Sequence, residues 1–418
     1  MAPRTLLYAQ SGGVTAVINA TAAGVITEAR KHSAQIGRVL GARQGVLGVL
    51  GEDLLDTAGL SVPDLAALAG QPGGAFGSCR FDLDAPDDNP AQFERLFEVF
   101  AAHEVGYFLY NGGNGSMDTV LKLSAAARAR NYPLTCVGVP KTVDNDLVGT
   151  DVSPGYGSAA KYLATSMREA GMDLRAMSGR RGRIFVMEVM GRNCGWLAAA
   201  TVLARQAPDD PPHVLLLPEV PFDADAFLAR VEACVERLGY CAITAAEGVR
   251  NRDGVLLVEQ DEDVRGHVQL GGIGQWLARL VHDRLGYKHH WAVPDYLQRA
   301  AGHLVSATDR TQAEAVGQAA VRYALEGRDA VMPAIVREGD APYRWRIEPA
   351  PLEPIANAER RLPADFIAGA GFDLTGDALR WLRPLIAGEI YPAFFEGLPD
   401  YRPPTFVAVG KKLGPYTG

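Results

Sequence analysis

Short apolar runs recur along the chain, and each is closed by glycine or proline before the next segment begins. The runs that we predict to be strands are 5–9, 106–110, 134–139, 183–189, 213–217 and 241–245, with a further strand near 291–293. Helical stretches follow the first two runs, through Arg30 and Arg130, and a buried helix is expected within 194–204. Such strands, separated by crossover helices, are typical of parallel sheets. The pattern therefore predicts an α/β fold with helices on both faces of mostly parallel sheets.

The spacing of these elements predicts two sheets, and hence two Rossmann-like three-layer α/β/α domains. We expect the first domain to comprise residues 1–154 plus about 298–330, and the second to comprise residues 155–297. After Asp329 the chain becomes richer in proline and charge and less periodic. Residues 331–418 are therefore expected to form a C-terminal extension that packs on the core.

The composition is that of a folded globular protein, since 48% of the 418 residues are hydrophobic and 22% are charged. The net charge of −8 disfavours nucleic-acid binding, which requires a basic surface. No apolar stretch is long enough to span a bilayer, and the chain does not begin with the apolar segment of a signal peptide. The five cysteines form no CxxC pair and the histidines no HExxH motif, which indicates free thiols and disfavours a zinc enzyme. We expect an acidic cytoplasmic enzyme with no nucleic-acid or membrane partner.

Two glycine-rich loops follow predicted strands and open predicted helices. They are Gln-Ser-Gly-Gly at 10–13 and Asn-Gly-Gly-Asn-Gly-Ser at 111–116. Glycines allow the backbone to approach an anion, and a helix N-terminus supplies free N–H groups and partial positive charge. Each loop alone is equally compatible with a simple tight connection, but two such loops at strand ends favour a phosphate site. Neither loop has the P-loop pattern or the dinucleotide-binding fingerprint.

A third polar cluster, Pro-Lys-Thr-Val-Asp-Asn-Asp at 140–146, also lies at a predicted strand end. One interpretation is an Asx turn that caps the next element. The functional interpretation makes one aspartate a general base, while the other helps to hold a metal–phosphate complex. Lys141 would then neutralise a phosphoryl group during transfer.

Arginines form the next group of candidates, because guanidinium groups suit bidentate phosphate recognition. Met190-Gly191-Arg192 closes one predicted strand, and Arg183 begins it. Arg180, Arg181 and Arg183 could equally form a solvated basic loop. The further isolated candidates, each more commonly a surface residue or part of a structural ion pair, are Arg80, Glu247, Tyr296 and Arg299.

Taken together, these motifs resemble the phosphofructokinase family, and most closely its pyrophosphate-dependent branch. The motifs that match are Ser-Gly-Gly at 11–13, Gly-Gly-Asn-Gly-Ser at 112–116, the 140–146 cluster, Met-Gly-Arg at 190–192, Glu-Gly at 247–248 and Tyr-Leu-Gln-Arg at 296–299. They occur in the family's order and spacing over roughly residues 4–325. The combination is far more specific than any single motif.

The resemblance implies transfer of a phosphoryl group to the 1-hydroxyl of fructose 6-phosphate in glycolysis and gluconeogenesis. The first domain would bind the donor and the second the sugar phosphate, and Asp144 would take the hydroxyl proton. The implied catalytic residues are Lys141, Thr142, Asp144 and Arg192. The implied sugar-phosphate residues are Thr142, Asp144, Arg183, Met190, Gly191, Arg192, Glu247, Tyr296 and Arg299. Because Arg183 matches an arginine that reaches a neighbouring subunit's sugar, a homodimer or homotetramer with shared sites is implied.

On the donor side, the resemblance implies Mg²⁺ as the cofactor. The implied donor-phosphate residues are Gly12, Gly13, Arg80, Gly113, Gly115, Ser116 and Lys141. The implied metal partners are Asn114 and Asp146. Asn114 replaces the aspartate of many members, so this neutral side chain is expected to be a weaker partner, acting through water.

Lys141 and Gly115 are the two residues that indicate the phosphoryl donor, and they indicate different donors. Lys141 is typical of pyrophosphate enzymes, whereas Gly115 is typical of ATP enzymes, since pyrophosphate enzymes carry an aspartate there that repels the nucleotide. We expect pyrophosphate as the donor, with some use of ATP because this block is missing. An ATP-dependent phosphofructokinase is the alternative enzyme, and a non-catalytic sugar-phosphate sensor is the alternative of another class. A dinucleotide-dependent dehydrogenase would share the fold but lacks its fingerprint here.

Overall fold

A computed structural model describes residues 2–178, 182–258 and 270–416. The strands are β1 (Arg4–Gln10), β2 (Ile36–Ala42), β3 (Leu54–Asp56), β4 (Val105–Gly112), β5 (Thr135–Pro140), β6 (Arg183–Val189), β7 (Val214–Leu216), β8 (Tyr240–Ala246), β9 (Lys288–Ala292), β10 (Val305–Ser306), β11 (Val331–Asp340), β12 (Tyr343–Pro351), β13 (Ile367–Ala368), β14 (Asp373–Leu374), β15 (Glu389–Ile390), β16 (Phe394–Phe395), β17 (Leu398–Pro399) and β18 (Val407–Ala408). The helices are α1 (Ile18–Arg30), α2 (Val46–Leu50), α3 (Val62–Gly70), α4 (Pro90–Ala102), α5 (Asn114–Ala129), α6 (Tyr156–Ala176), α7 (Trp196–Ala200), α8 (Ala224–Leu238), α9 (Ile273–Leu285), α10 (Tyr296–Ala300), α11 (Ala307–Leu325) and α12 (Gly376–Leu382). Within these ranges no helix is both long and apolar enough to cross a membrane.

The chain forms two compact units. The first consists of Met1–Tyr156, Ala300–Glu359 and Gly388–Gly418, and the second of Gly157–Arg299 and Arg360–Ala387. Each unit contains one main sheet with strands in a crossover order. The predicted fold class, two mostly parallel α/β units, is therefore confirmed.

The first unit is built on an eight-stranded sheet of order β12-β11-β5-β4-β1-β2-β3-β18. Its centre is parallel, because β1 pairs in parallel with both β2 and β4, and β4 pairs in parallel with β5. Helices cover the sheet through apolar side chains such as Phe100 of α4 and Met117 of α5, which belong to one buried core with Leu7 and Phe108 of the strands. These central strands are apolar on both faces, as strands covered by helices must be.

The tail that we expected to be an extension contributes three strands to this sheet: β11, β12 and the short β18, which pairs antiparallel with β3. β11 pairs in parallel with β5 at Val331, and β12 pairs antiparallel with β11. In β12 the exposed residues Arg344, Arg346 and Glu348 alternate with partly buried ones. A charged, alternating edge strand lacks the continuous apolar run used to recognise the central strands, so the sequence pattern missed it.

The second unit contains a four-stranded sheet of order β7-β8-β6-β9, and all of its pairings are parallel. The predicted strands at 183–189, 213–217 and 241–245 correspond to β6, β7 and β8. Gly239, with φ of 80°, ends α8 in the left-handed conformation, so the chain can turn at once into β8. The carboxyl ends of β6 and β8 therefore lie side by side.

The C-terminal segment is fixed to the first unit by a buried carboxylate. Glu52 accepts hydrogen bonds from the N–H groups of Lys412 (2.6 Å) and Leu413 (3.0 Å). The His103 Nε2 atom lies 2.7 Å from Glu52 Oε1, the same oxygen that accepts from Lys412, and both side chains are fully buried. One carboxylate thus ties the core of the unit to the end of the chain.

Candidate active site

Three loops of the first unit lie together at the carboxyl ends of the neighbouring strands β1, β4 and β5. In the parallel register, Gly112 pairs with Pro140. Beyond the strands, the Ser11 N–H donates to Asn111 O (2.8 Å) and the Lys141 N–H to Gly112 O (3.1 Å). These bonds continue the ladder, so the two glycine-rich loops and the 140–146 cluster are adjacent.

Lys141 connects two of these loops through its side chain. It is buried, and its Nζ atom donates to Gly13 O over 2.7 Å. The same Nζ atom lies 3.2 Å from the position that a Cβ atom on Gly12 would take, and Gly12 has φ of +74°. Glycine suits position 12 because of its positive φ, and a side chain there would also press against the ammonium group.

The second glycine-rich loop begins helix α5. Gly113 is the residue before the helix, which starts at Asn114. A Cβ atom on Gly112 would lie 1.8 Å from Ser116 Oγ, so the loop closes tightly over the first turn. The free N–H groups and partial positive charge of this 16-residue helix lie at the loop, where they favour an anion.

The segment that carries Arg80 is held against the first loop by backbone bonds. The Gly12 N–H donates to Cys79 O (2.8 Å), and Ser78 Oγ donates to Gly12 O (2.7 Å). Arg80, the next residue along this segment, is exposed. The structure therefore brings the predicted donor residues Gly12, Gly13, Arg80 and Lys141 together on one edge.

Gly115 has a neighbour that the sequence did not indicate. The residue is exposed, and a Cβ atom built on it would lie 3.0 Å from Asp82 Oδ1. A carboxylate from a different loop is thus already beside the position where pyrophosphate enzymes are expected to carry an aspartate.

The loop at 140–146 is shaped by side-chain-to-backbone hydrogen bonds. The Asp144 N–H donates to Thr142 Oγ1 (3.1 Å), and the Ser153 N–H donates to Asn145 Oδ1 (2.9 Å). Asn145 has a positive φ of 56°, which asparagine tolerates better than most residues. Thr142 and Asn145 thus hold the turn, and Asp144, half-buried, is presented between them.

Asn114 and Asp146 form the candidate metal position. Asn114 Nδ2 donates to Asp146 Oδ2 over 3.1 Å. Among the described residues, neither Asn114 Oδ1 nor Asp146 Oδ1 has a hydrogen-bond partner, although both atoms are buried. Burial raises the pKa of Asp146, and the negative charge of Glu359 adds to this effect. Two buried oxygens without partners, one from a carboxyl group, fit a hard divalent cation.

In the second unit, the Met190-Gly191-Arg192 turn packs against the turn at the end of β8. The Glu247 N–H donates to Val189 O (2.9 Å), and the Gly248 N–H donates to Gly191 O (3.1 Å). The Gly191 N–H in turn donates to Glu247 Oε1 (3.3 Å). A Cβ atom on Gly248 would lie 1.7 Å from Arg192 O, so the turns touch backbone to backbone.

A cavity of about 330 Å³ opens beside these turns, and Met190 and Glu247 line it. Two residues that sequence reasoning missed, Glu188 and Gln298, also line it. Its size is in the range of small-molecule sites. The structure thus brings two of the predicted sugar residues, Met190 directly after β6 and Glu247 directly after β8, together at one cavity.

Gln298 links the cavity wall to the next motif. Its Oε1 atom accepts from the Met190 N–H (3.3 Å), and its Nε2 atom donates to Asp295 O (3.0 Å). The neighbouring Arg299 guanidinium lies 4.1 Å from the ring centroid of Tyr296. Gln298 therefore fixes the short helix that carries the predicted 6-phosphate residues.

The carboxyl groups of Glu188 and Glu247 are largely shielded from water. Burial raises the pKa of each, although backbone N–H groups oppose the shift: those of Gly274 and Gly272 for Glu188, and that of Gly191 for Glu247. Hydrogen-bond acceptors of this kind are suited to bind sugar hydroxyl groups, which are donors.

Arg183 lies apart from this cavity. It is the first residue of β6, whereas Met190 follows the last, so the seven-residue strand separates them by about 20 Å. Its register partner on β9 is Lys288. Arg180 and Arg181 lie outside the described residues.

Comparisons with known proteins agree on one family. A family model described as phosphofructokinase matches residues 5–324. The pyrophosphate–fructose 6-phosphate 1-phosphotransferase of Xanthomonas campestris pv. campestris (strain B100) is 55% identical over 416 residues, covering 99% of both chains. The protein of that name from Methylococcus capsulatus (strain ATCC 33009 / NCIMB 11132 / Bath) is 53% identical over 414 residues, covering 99% of both chains. A solved pyrophosphate-dependent phosphofructokinase from Nitrosospira multiformis is similar with a TM-score of 0.91 and 48% identity over 100% of both chains.

Proposed function

The chain belongs to the phosphofructokinase family, and from this premise we propose that it transfers a phosphoryl group from pyrophosphate to fructose 6-phosphate. The acceptor is the 1-hydroxyl, and the products are fructose 1,6-bisphosphate and inorganic phosphate. The names of relatives that are more than half identical over nearly the whole chain support pyrophosphate as the donor. A cytoplasmic location stays a prediction.

The observation that carries the proposal is the joined set of loops at the ends of β1, β4 and β5. Phosphoryl transfer depends mostly on positioning and charge neutralisation. Gly12 and Gly13 allow the donor's phosphates to approach the backbone, while the Lys141 ammonium is already held 2.7 Å from Gly13 O. The Gly113 end of α5 adds N–H groups to the same place.

We assign the proton acceptor to Asp144. As the 1-oxygen of the sugar attacks phosphorus, its O–H bond breaks and the proton passes to the carboxylate. The bond between that phosphorus and the bridging oxygen of pyrophosphate breaks, and phosphate leaves. Thr142 keeps Asp144 in place by accepting its N–H, while Lys141 and Arg192 offset charge on the transferred group.

Mg²⁺ is proposed at Asn114 and Asp146, since one buried oxygen of each residue, the Oδ1 atom, lacks a hydrogen-bond partner among the described residues. The ion, when bound, neutralises negative charge on the donor's phosphates. Because Asn114 is neutral, the negative charge that the protein contributes to this site comes from Asp146. Asn114 holds the Asp146 carboxyl group in position through the 3.1 Å hydrogen bond.

On the acceptor side, the cavity beside Met190, Gly191 and Glu247 is proposed to bind the sugar, with Tyr296 and Arg299 at its 6-phosphate. Arg183 is far along β6 from this cavity. We therefore propose that Arg183 serves the sugar phosphate of a neighbouring subunit in a homo-oligomer with shared sites.

The test is product formation by the chain and by Asp144→Asn. With pyrophosphate, fructose 6-phosphate and Mg²⁺, the unchanged chain should form fructose 1,6-bisphosphate. The variant should lose about 10²- to 10⁴-fold in kcat, the usual contribution of a general base. Its KM for fructose 6-phosphate should change much less.

Asp87→Asn is the matched control, because Asp87 is an exposed aspartate of the same unit and should retain full activity. A near-normal kcat in Asp144→Asn would remove Asp144 from this role. The unchanged chain could instead bind the sugar phosphate and form no product with either pyrophosphate or ATP. That result would indicate the non-catalytic sensor.

A further inference from the structure

Two cysteines and a histidine meet in the second unit, away from the sugar cavity. One ligand atom from each of His213, Cys234 and Cys241 lies within 4.8 Å of the others, and all three residues are buried. Cys234 is on α8 and Cys241 on β8, so the two thiols lie on opposite sides of the turn at Gly239. None of these residues takes part in the proposed phosphoryl transfer.

The histidine in this cluster already uses both ring nitrogens. His213 Nδ1 accepts from the Ala242 N–H (2.9 Å), so Nε2 carries the proton and donates to Asp209 O (3.2 Å). Binding of a metal through His213 would break one of these bonds in a buried place. The cluster is therefore better described as a pair of thiols beside a neutral imidazole than as a metal centre.

One of the thiols is reachable from a small cavity. The cavity measures about 100 Å³, and Cys234 lines it together with His213 and the three arginines Arg205, Arg230 and Arg237. This space is larger than the volume of a water molecule in the liquid, so it can admit a small peroxide. Cys241 is completely buried behind it.

The surroundings favour ionisation of the accessible thiol. A hydrogen bond from the Cys241 thiol is the largest cause that lowers the pKa of Cys234, and the positive charge of Arg237 adds to it. Burial raises the pKa of Cys241. A cysteine of lowered pKa that lines a cavity together with arginines is in the environment of reactive thiols. The inner cysteine, which stays protonated, can then respond to its oxidation.

We propose that Cys234 and Cys241 form a redox-active dithiol, in which a hydroperoxide entering the arginine-lined cavity oxidises Cys234 and Cys241 then closes a disulfide. The Cys234 thiolate attacks one peroxide oxygen, the O–O bond breaks, and a sulfenic acid forms on Cys234. The departing hydroxide takes up the proton that Cys234 released and leaves as the first water molecule. The Cys241 sulfur attacks the Cys234 sulfur, the S–O bond breaks, and the hydroxide leaves with the Cys241 proton as water. With hydrogen peroxide, two thiols and one peroxide give one disulfide and two water molecules.

The experiment uses the full chain, reduced and then freed of reductant. After a small molar excess of hydrogen peroxide, the chain is denatured and alkylated with N-ethylmaleimide, and the adducts are located by peptide mass spectrometry. Of the five cysteines, two fewer should react, and dithiothreitol should restore both. Trypsin cuts after Arg237, between the two cysteines, so the disulfide should join two separate peptides.

Three variants test which cysteine reacts with the peroxide and which one closes the disulfide. In Cys241→Ser, dimedone should trap a sulfenic acid on Cys234, whereas in Cys234→Ser the peroxide-dependent loss of alkylation should disappear. Cys194→Ser, which removes another buried cysteine of the same unit, should leave the disulfide intact. Full alkylation of both cysteines in peroxide-treated unchanged chain, or a disulfide between other cysteines, would overturn the proposal. The readout needs no enzyme activity, so it is independent of the proposed function.

Discussion

Asp82 and Gly115 show how a charged group can be brought beside a loop from another part of the chain. The Asp82 carboxylate lies 3.0 Å from the place where a side chain at position 115 would begin. Two like unit charges about 4 Å apart repel by about 1 kcal/mol in water, and by more where water is displaced. Asp82 therefore places negative charge beside the donor loop even though residue 115 has none.

We predict that Gly115→Asp shifts donor preference further toward pyrophosphate. A second carboxylate next to Asp82 should repel a nucleotide's longer phosphate chain more than the compact pyrophosphate. The ratio of kcat/KM for pyrophosphate to that for ATP should rise by about tenfold, the equivalent of about 1.4 kcal/mol. Gly115→Asn, which has the same shape without the charge, is the control. An unchanged ratio in Gly115→Asp would show that charge at this position does not select the donor.

The site residues that were predicted from the sequence are recognisable from their sequence neighbours, whereas those that were missed are recognisable only from their neighbours in the folded structure. The glycine-rich loops and the 140–146 cluster were predicted because polar residues and glycines are grouped locally at strand ends. Asp82, Glu188 and Gln298 were not predicted, because their roles depend on neighbours that folding brings close. Glu188, for example, lies inside an apolar strand and gains its significance only from the N–H groups of α9.

At the scale of elements, the two turns after β6 and β8 behave as one piece. Backbone bonds join Glu247 to Val189 and Gly248 to Gly191, with no space between the turns for a side chain. The strands themselves were readable as apolar runs, whereas the charged edge strand β12 was not. The contact between the two turns could not be predicted, because the apolar runs do not indicate which strands are neighbours in the sheet.

Gly248→Ala should disrupt sugar binding. The new Cβ atom would lie 1.7 Å from Arg192 O, so the Met190-Gly191-Arg192 turn must move. We expect KM for fructose 6-phosphate to rise by at least tenfold, while KM for pyrophosphate changes less. Gly376→Ala is the control within the same unit, since a Cβ atom there has nothing within 4 Å. Equal KM values in the two variants would contradict this account of the turn.

For the first unit as a whole, the buried carboxylate of Glu52 makes a contribution to stability that depends on pH. Burial alone would raise the pKa of Glu52, but hydrogen bonds from Lys412, His103 and Leu413 outweigh it and lower the pKa. A carboxyl group with a lowered pKa in the folded state stabilises the protein above its unfolded pKa of about 4.5. That contribution is lost as the pH falls through the folded value.

We therefore predict that Glu52→Gln lowers the free energy of unfolding by about 2 kcal/mol at neutral pH, since buried bonds to a charged group are lost. The difference in Tm between the variant and the unchanged chain should shrink as the pH falls below about 4.5. Thermal unfolding between about pH 3 and pH 8 would measure it. Asp53→Asn removes a half-exposed ion pair with Arg43 and should change Tm little. A pH-independent difference for Glu52→Gln would contradict the role of its charge.

The hydrogen bonds that extend the sheet ladder beyond β1, β4 and β5 are made by the main chain. The framework of the donor loops is therefore largely independent of which side chains line it. Mutation can then change residues such as Asn114 and Gly115 at little cost to stability, while the path of the backbone is preserved. A lineage with this architecture could move between phosphoryl donors by single substitutions, so donor choice should vary more readily during evolution than the acceptor sugar.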